Sequence, residues 1–190
     1  MKSLLASTAL MLAAIPAHAE AVKYTIDPGH AQVLFSFEHL GFSTVFGMFS
    51  GFSGDIAFDK EHPENSTVSV SMPVKSMITG FPARFEHFMS PDFFDATDDE
   101  MVSFVSTGIE VTGENTALIT GDFTLNGVTK PVVLDAVLNQ AGMHPIENKE
   151  WAGFDATTTL LRSEYNLGAF VPYIPDEIPV SISIEAMIAE

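Results

Sequence analysis

A chain of 190 residues, 46% hydrophobic and 17% charged, has enough apolar material for one sizeable core and too much to stay disordered. Its formal charge of −17, from 8 basic and 25 acidic side chains, argues against a surface that tracks nucleic-acid phosphates or anionic headgroups. Without cysteine it has no disulfide, no thiolate nucleophile and no thiolate-bound metal.

Residues 1–19 carry the three parts of a secretory signal peptide: Lys2, an apolar run from Leu4 to Ile15, and the small-x-small site Ala17-His18-Ala19. Cleavage after Ala19 leaves residues 20–190 as a single exported domain, periplasmic in a bacterium, with no apolar run long enough to span a bilayer.

The mature chain opens on a short strand over 24–30 that ends in the turn Asp27-Pro28-Gly29. Val33, Phe35, Phe37 and His39 then share one face, the alternation of a half-buried strand, and Gly41 breaks it. Val45, Gly47 and Phe49 alternate, and so do Phe52, Gly54, Ile56 and Phe58, but with the parity changed between them. One extra residue at Ser50 or Gly51 restores the facing, as a β-bulge in a single long strand does. Val68, Val70, Met72 and Val74 form the next strand.

The 26 residues 75–100 are the least strand-like. Phe81, Phe85 and Phe88 fall at helical spacing, and Ser90-Pro91-Asp92 stops a helix begun at Pro82. A strand returns at 102–109, with Val102, Phe104 and Ser106 on one face. The segment 121–138 is the best-defined hairpin: two alternating arms flank Asn126-Gly127, a pair that tolerates the positive φ of a tight primed turn. After a loop over 140–150, Phe154 to Leu160 alternate. Residues 162–176 are irregular, and Ile178 to Ile188 give a clean last strand. About eight antiparallel strands with a helical or irregular insertion at 75–100 indicate an all-β barrel or sandwich.

Twelve of the 16 phenylalanines lie between Phe35 and Phe94. A packed barrel interior uses such residues, and so does the wall of a space for a long apolar ligand. The second reading is favoured by aromatics outside the strand ladder and by Gly121, Ala136, Ala156 and Thr158 on the return strands. His30, His39 and His87 lack the spacing of a metal motif, and neither 41–45 nor 51–55 forms a hydrolase elbow. No metal or cofactor is expected. Arg84 and Arg162 stand out among so few cations and read as strand-end or surface pairing residues.

The segment Gly121-Asp122-Phe123-Thr124-Leu125-Asn126-Gly127-Val128-Thr129-Lys130-Pro131-Val132 resembles the signature hairpin of the YceI-like family of lipid- or polyisoprenoid-binding periplasmic proteins. The opening 24–30, His39-Leu40-Gly41, Gly47-x-Phe49-x-x-Phe52-x-Gly54, Arg84 with His87, Ser90 and Asp92-Phe93-Phe94, Gly153-Phe154 and 162–168 follow the family in the same order. The resemblance spans about 22–189. It implies an extended lipocalin-like eight-stranded antiparallel barrel, a tunnel for an isoprenoid or fatty-acyl chain, and a capacity to form homodimers. Phe85 stands where the family commonly has Asp, which removes a partner for Arg84, and Glu100 where Pro is common.

The expected function is therefore a non-enzymatic carrier or sequestering protein for a polyisoprenoid, isoprenoid quinone or fatty-acyl derivative. Val33, Phe35, Phe37, Val45, Phe49, Met72 and Phe104 are the expected tunnel wall. Phe81, Phe85, Phe88 and Phe93 form its lid or mouth, and His39 and Arg84 make the polar contacts. A lipid-modifying or redox enzyme using the His and carboxylate groups, and a structural module with a self-filled barrel, are the alternatives.

Overall fold

In the computed structural model, residues 21–190 are described, so the segment 1–19, expected to be a signal peptide, lies outside the described residues. Ten strands follow in order: β1 (Val22–Ile26), β2 (Gln32–His39), β3 (Ser43–Phe49), β4 (Ser53–Phe58), β5 (Thr67–Pro73), β6 (Met101–Val111), β7 (Thr116–Leu125), β8 (Val128–Met143), β9 (Glu150–Leu161) and β10 (Glu177–Ile188). One helix, α1 (Pro82–Phe88), lies between β5 and β6. All pairings are antiparallel. The ring β1-β4-β5-β6-β7-β8-β9-β10 closes on itself because β10 pairs with both β9 and β1. This closed eight-stranded barrel is the architecture implied by the family resemblance, and it decides between the barrel and the sandwich that the alternation left open. Closure leaves the ring itself without a free edge.

The hairpin β2–β3 extends the wall beyond that ring, because β10 is long enough to pair with β1 near one end and β2 near the other. β1 and β2 thus share one position in the barrel, interrupted by a 3-10 turn at Pro28–His30. β3 and β4 share the next position. The single bulged strand expected over 45–58 is instead two strands with different partners: β3 pairs with β2, and β4 with β1 and β5. The parity change is absorbed in a real break, where Gly51 takes φ +69° and Phe49 and Phe52 both turn inward and are buried.

Local chemistry explains the other junctions. Asn126 (φ 49°) and Gly127 (φ 70°) make the primed turn of the β7–β8 hairpin. The loop expected over 140–150 is shorter, because β8 continues to Met143 and only 144–149 connect it to β9. Ser90 and Pro91 follow directly on the end of α1, and the Ser90 hydroxyl donates to the His87 carbonyl at 2.7 Å. The Val74 amide donates to the Glu100 carbonyl at 2.9 Å, so the excursion 75–100 leaves and rejoins the barrel at one place.

Beside β1 and β4, Tyr24 is fully buried, and the Phe58 ring meets it at 6.3 Å and Phe154 edge to face at 5.5 Å. Strand directions place the β2–β3 tip, the excursion with α1, the β7–β8 turn and the segment 162–176 at one end of the barrel.

Candidate functional site: an apolar cavity along the barrel

The inward positions of the strands enclose a cavity of about 990 Å³, at the upper end of the range for ligand sites. Phe, Val, Ile and Leu supply most of its wall. The lining reaches from Pro63, Ser66 and the turn 113–116 at one end to Leu40, Phe81, Phe170 and Tyr173 at the other.

Of the residues expected at the site, Val33, Phe35, Phe37, His39, Val45, Phe49, Met72, Phe81, Arg84, Phe88, Phe93 and Phe104 all line this cavity. Phe85 does not. It follows Arg84 on α1 and packs, half-buried, against the core cluster, so only part of the helical phenylalanine face reaches the cavity. Phe88 meets Phe37 at 6.1 Å and Phe93 at 5.4 Å, which carries the aromatic wall from the barrel strand β2 into the excursion.

The small residues opposite behave in two ways. Ala136, Ala156 and Thr158 face the cavity. Gly121 instead seats the Phe104 ring, whose Cζ would lie 2.4 Å from a Cβ at that position. Gly47 does the same for Phe35, at 2.2 Å. Glycine therefore fixes where two rings lie, while the alanine and threonine positions face open space.

Polar groups sit towards the ends. Arg84 is half-buried at the cavity edge and donates from Nη1 to the Thr79 carbonyl at 2.8 Å, a bond within the excursion itself. His39 is exposed at the end of β2. The His87 ring lies 5.1 Å from Phe93 and 6.3 Å from Phe170, with Nε2 3.5 Å from Asp92.

Arg162, expected at a strand end or on the surface, is buried and lines the cavity. Its guanidinium donates to the carbonyls of Leu167, Ala169 (2.8 Å), Ile174 (3.0 Å) and Pro175 (2.9 Å). Burial lowers its pKa, and Asp176 opposes that shift. Five donors in a rigid fork suit this role, and the effect is to fold the loop 166–176 into a wall. That wall contributes Leu167, Phe170, Tyr173 and Ile174 to the cavity, and sequence reading missed it. The available signal was the apolar and aromatic run over 167–174, which has no strand or helix period and so carries no direction.

His30 belongs elsewhere. With Asp27 and Glu185 it forms a cluster, in the turn after β1 and on β10, in which one ligand atom from each lies within 4.8 Å of the others. These groups already have partners: Asp27 accepts from the Gly29 amide at 2.9 Å and contacts His30 at 2.5 Å, and Trp151 Nε1 donates to Glu185 at 2.9 Å.

A family model described as YceI-like domain matches residues 24–186. A UPF0312 protein of Ectopseudomonas mendocina is 39% identical over 189 residues, 98% of each chain. A UPF0312 protein of Pseudomonas putida is 40% identical over 170 residues, 88% of each. Among solved structures, a YCEI protein of Campylobacter jejuni superposes with a TM-score of 0.70 at 28% identity, covering 80% of this chain and 90% of its own. Two others share the fold at lower identity. BcnA of Burkholderia cenocepacia has a TM-score of 0.75 at 22% identity, covering 84% of this chain and 98% of its own. A polyisoprenoid binding domain from Saccharophagus degradans has a TM-score of 0.68 at 12%, covering 88% and 99%.

Proposed function

The chain belongs to the YceI-like family, and from that premise we propose that it is a carrier or sequestering protein whose barrel holds one long apolar chain, an isoprenoid or fatty-acyl derivative. The observation that carries this reading is the cavity of about 990 Å³ with a largely hydrocarbon wall. Each ligand methylene moved from water onto such a wall contributes about 0.8 kcal/mol, so a long chain binds firmly without a charged anchor. A structural relative described as a polyisoprenoid binding domain supports the same ligand class.

In this reading Val33, Phe35, Phe37, Val45, Phe49, Met72 and Phe104 hold the chain, and Phe81, Phe88 and Phe93 cover its end. Arg84 and His39 face a polar terminus. Phe85 supports α1 from behind and has no ligand role. The protein works after export, with the segment 1–19 removed behind Ala19.

The direct test is native mass spectrometry and lipid extraction of protein purified without detergent, followed by incubation of the stripped protein with prenyl and acyl probes. A mass increment matching a prenyl or acyl species is expected. A bare polypeptide mass that stays bare after incubation would refute the reading.

A further inference from the structure

We propose that the aromatic end of the barrel is a bilayer-docking surface, by which the protein reaches a ligand still resident in a membrane; this rests on the carrier reading above. Leu40 and Phe42 at the β2–β3 tip, Phe81 ahead of α1, and Phe170, Val171 and Tyr173 before β10 are 49, 88, 59, 53, 39 and 76% exposed. They come from three separated segments that the strand directions bring to one end. Six large apolar side chains presented together at loop tips are not the scattered exposure of an ordinary surface.

Charge selects the partner. Residues 40–46, 77–83 and 165–175 contain no Asp, Glu, Lys or Arg, in a chain that carries 25 acidic and 8 basic residues. A basic protein partner would be met by the acidic remainder of the surface, whereas these three stretches offer it nothing. Apolar tips without charge of their own, a tyrosine among them, fit the interfacial zone of a bilayer, and the exposed Glu86, Asp92 and Glu164 at the same end favour zwitterionic over anionic lipid.

The rim is also continuous with the cavity. Leu40, Phe81, Phe170 and Tyr173 are at once exposed and part of the cavity wall. A hydrocarbon chain passing between bilayer and barrel there would stay on apolar surface throughout.

Backbone geometry gives an independent reason. Leu40 and Phe170 hold left-handed backbone at φ 54° and φ 66°, where a bulky side chain is disfavoured. At the same end Asn126 occupies φ 49° with the residue type such a turn prefers. Folding alone would place asparagine or glycine at position 40. The tip carries leucine and phenylalanine instead.

The test uses the mature protein and the Phe42→Ser/Val171→Ser double variant, neither residue being part of the cavity wall. Each is floated with phosphatidylcholine/phosphatidylethanolamine vesicles, and with vesicles of rising phosphatidylglycerol content. The wild type is expected to float with the zwitterionic vesicles and less well as anionic lipid rises, and the variant's bound fraction to fall about tenfold or more. Transfer of a fluorescent prenyl probe from vesicles should slow in parallel, while uptake of the same probe from vesicle-free solution stays unchanged.

A wild type that does not float, or a variant that floats equally well, overturns the docking surface. So does a rim that instead forms a Phe42-dependent dimer without vesicle binding. Loss of probe uptake from solution by both proteins would strike the carrier reading, while flotation still reads the docking surface by itself.

Discussion

Substituting Ala156→Phe distinguishes an empty interior from a filled one by the sign of its effect. Ala156 faces inward on β9, flanked by Ala136 on β8 and Ile182 on β10. If the space beside it is open, the added ring lies within about 990 Å³ of apolar cavity. Full burial of a phenylalanine is worth about 1.5–3 kcal/mol, and ordering its rotamers removes part of that, leaving a gain of about 1 kcal/mol. If the interior were packed, the same ring would cost about 1–3 kcal/mol in strain. In the open case the ring also displaces ligand. Excluding about three methylenes costs about 2.4 kcal/mol, a rise in Kd of about fiftyfold. Urea denaturation of stripped protein gives the first quantity and displacement of a fluorescent acyl probe the second. A variant destabilised by more than about 1 kcal/mol, with probe affinity unchanged, would refute the reasoning.

Gly121→Ala should do the opposite. Its Cβ would sit 2.4 Å from Phe104 Cζ and 2.6 Å from the Val105 carbonyl oxygen, which the β6–β7 ladder holds in place, so a loss of about 2 kcal/mol is expected in the same denaturation assay. Leu40→Asn relieves left-handed backbone at an exposed hairpin tip and should raise the urea midpoint by the equivalent of about 1 kcal/mol with an unchanged slope.

The Asp27–His30 pair predicts a pH dependence. The hydrogen bond to Asp27 raises the His30 pKa above its ordinary 6.5, so the pair's contribution is complete below that value and lost as pH climbs through the raised one. Burial alone would raise the Asp27 pKa, but the His30 and Gly29 hydrogen bonds outweigh it, and the net shift is below 3.8; that contribution is lost only on strong acidification. Stability measured between about pH 6 and pH 8 should therefore decline in the wild type by an increment that His30→Asn lacks. Identical pH profiles for the two proteins would show that the pair contributes nothing measurable.

Where a feature depended on neighbours in the chain, it was legible. Asn126-Gly127 announced its turn because only a few residue types accept positive φ, and the helix at 82–88 was bounded by prolines whose sterics act on adjacent residues. Inward-facing residues from Val33 to Phe104 were identified because a strand's side chains alternate whatever the strand pairs with. The break at 50–52 was misread as a bulge for the same reason: parity records that an extra residue exists, not that the strand changes partners there. Helical spacing alone places Phe85 with Phe81 and Phe88 at the mouth, but which side of α1 meets the cavity depends on how the excursion 75–100 is anchored.

Composition and alternation alone determined that this chain makes an antiparallel all-β fold, barrel or sandwich, with an aromatic inner face, and the family resemblance pointed to the barrel. Only the tertiary structure decided that the face surrounds space. Whether rings on opposite strands meet depends on the barrel's girth, which follows from how many strands close and with what stagger. Here that was settled by β10 reaching both β1 and β2, and by four backbone carbonyls gathering on Arg162. Both are contacts between segments far apart in the chain or without local period, and a pattern read along the chain carries no record of them.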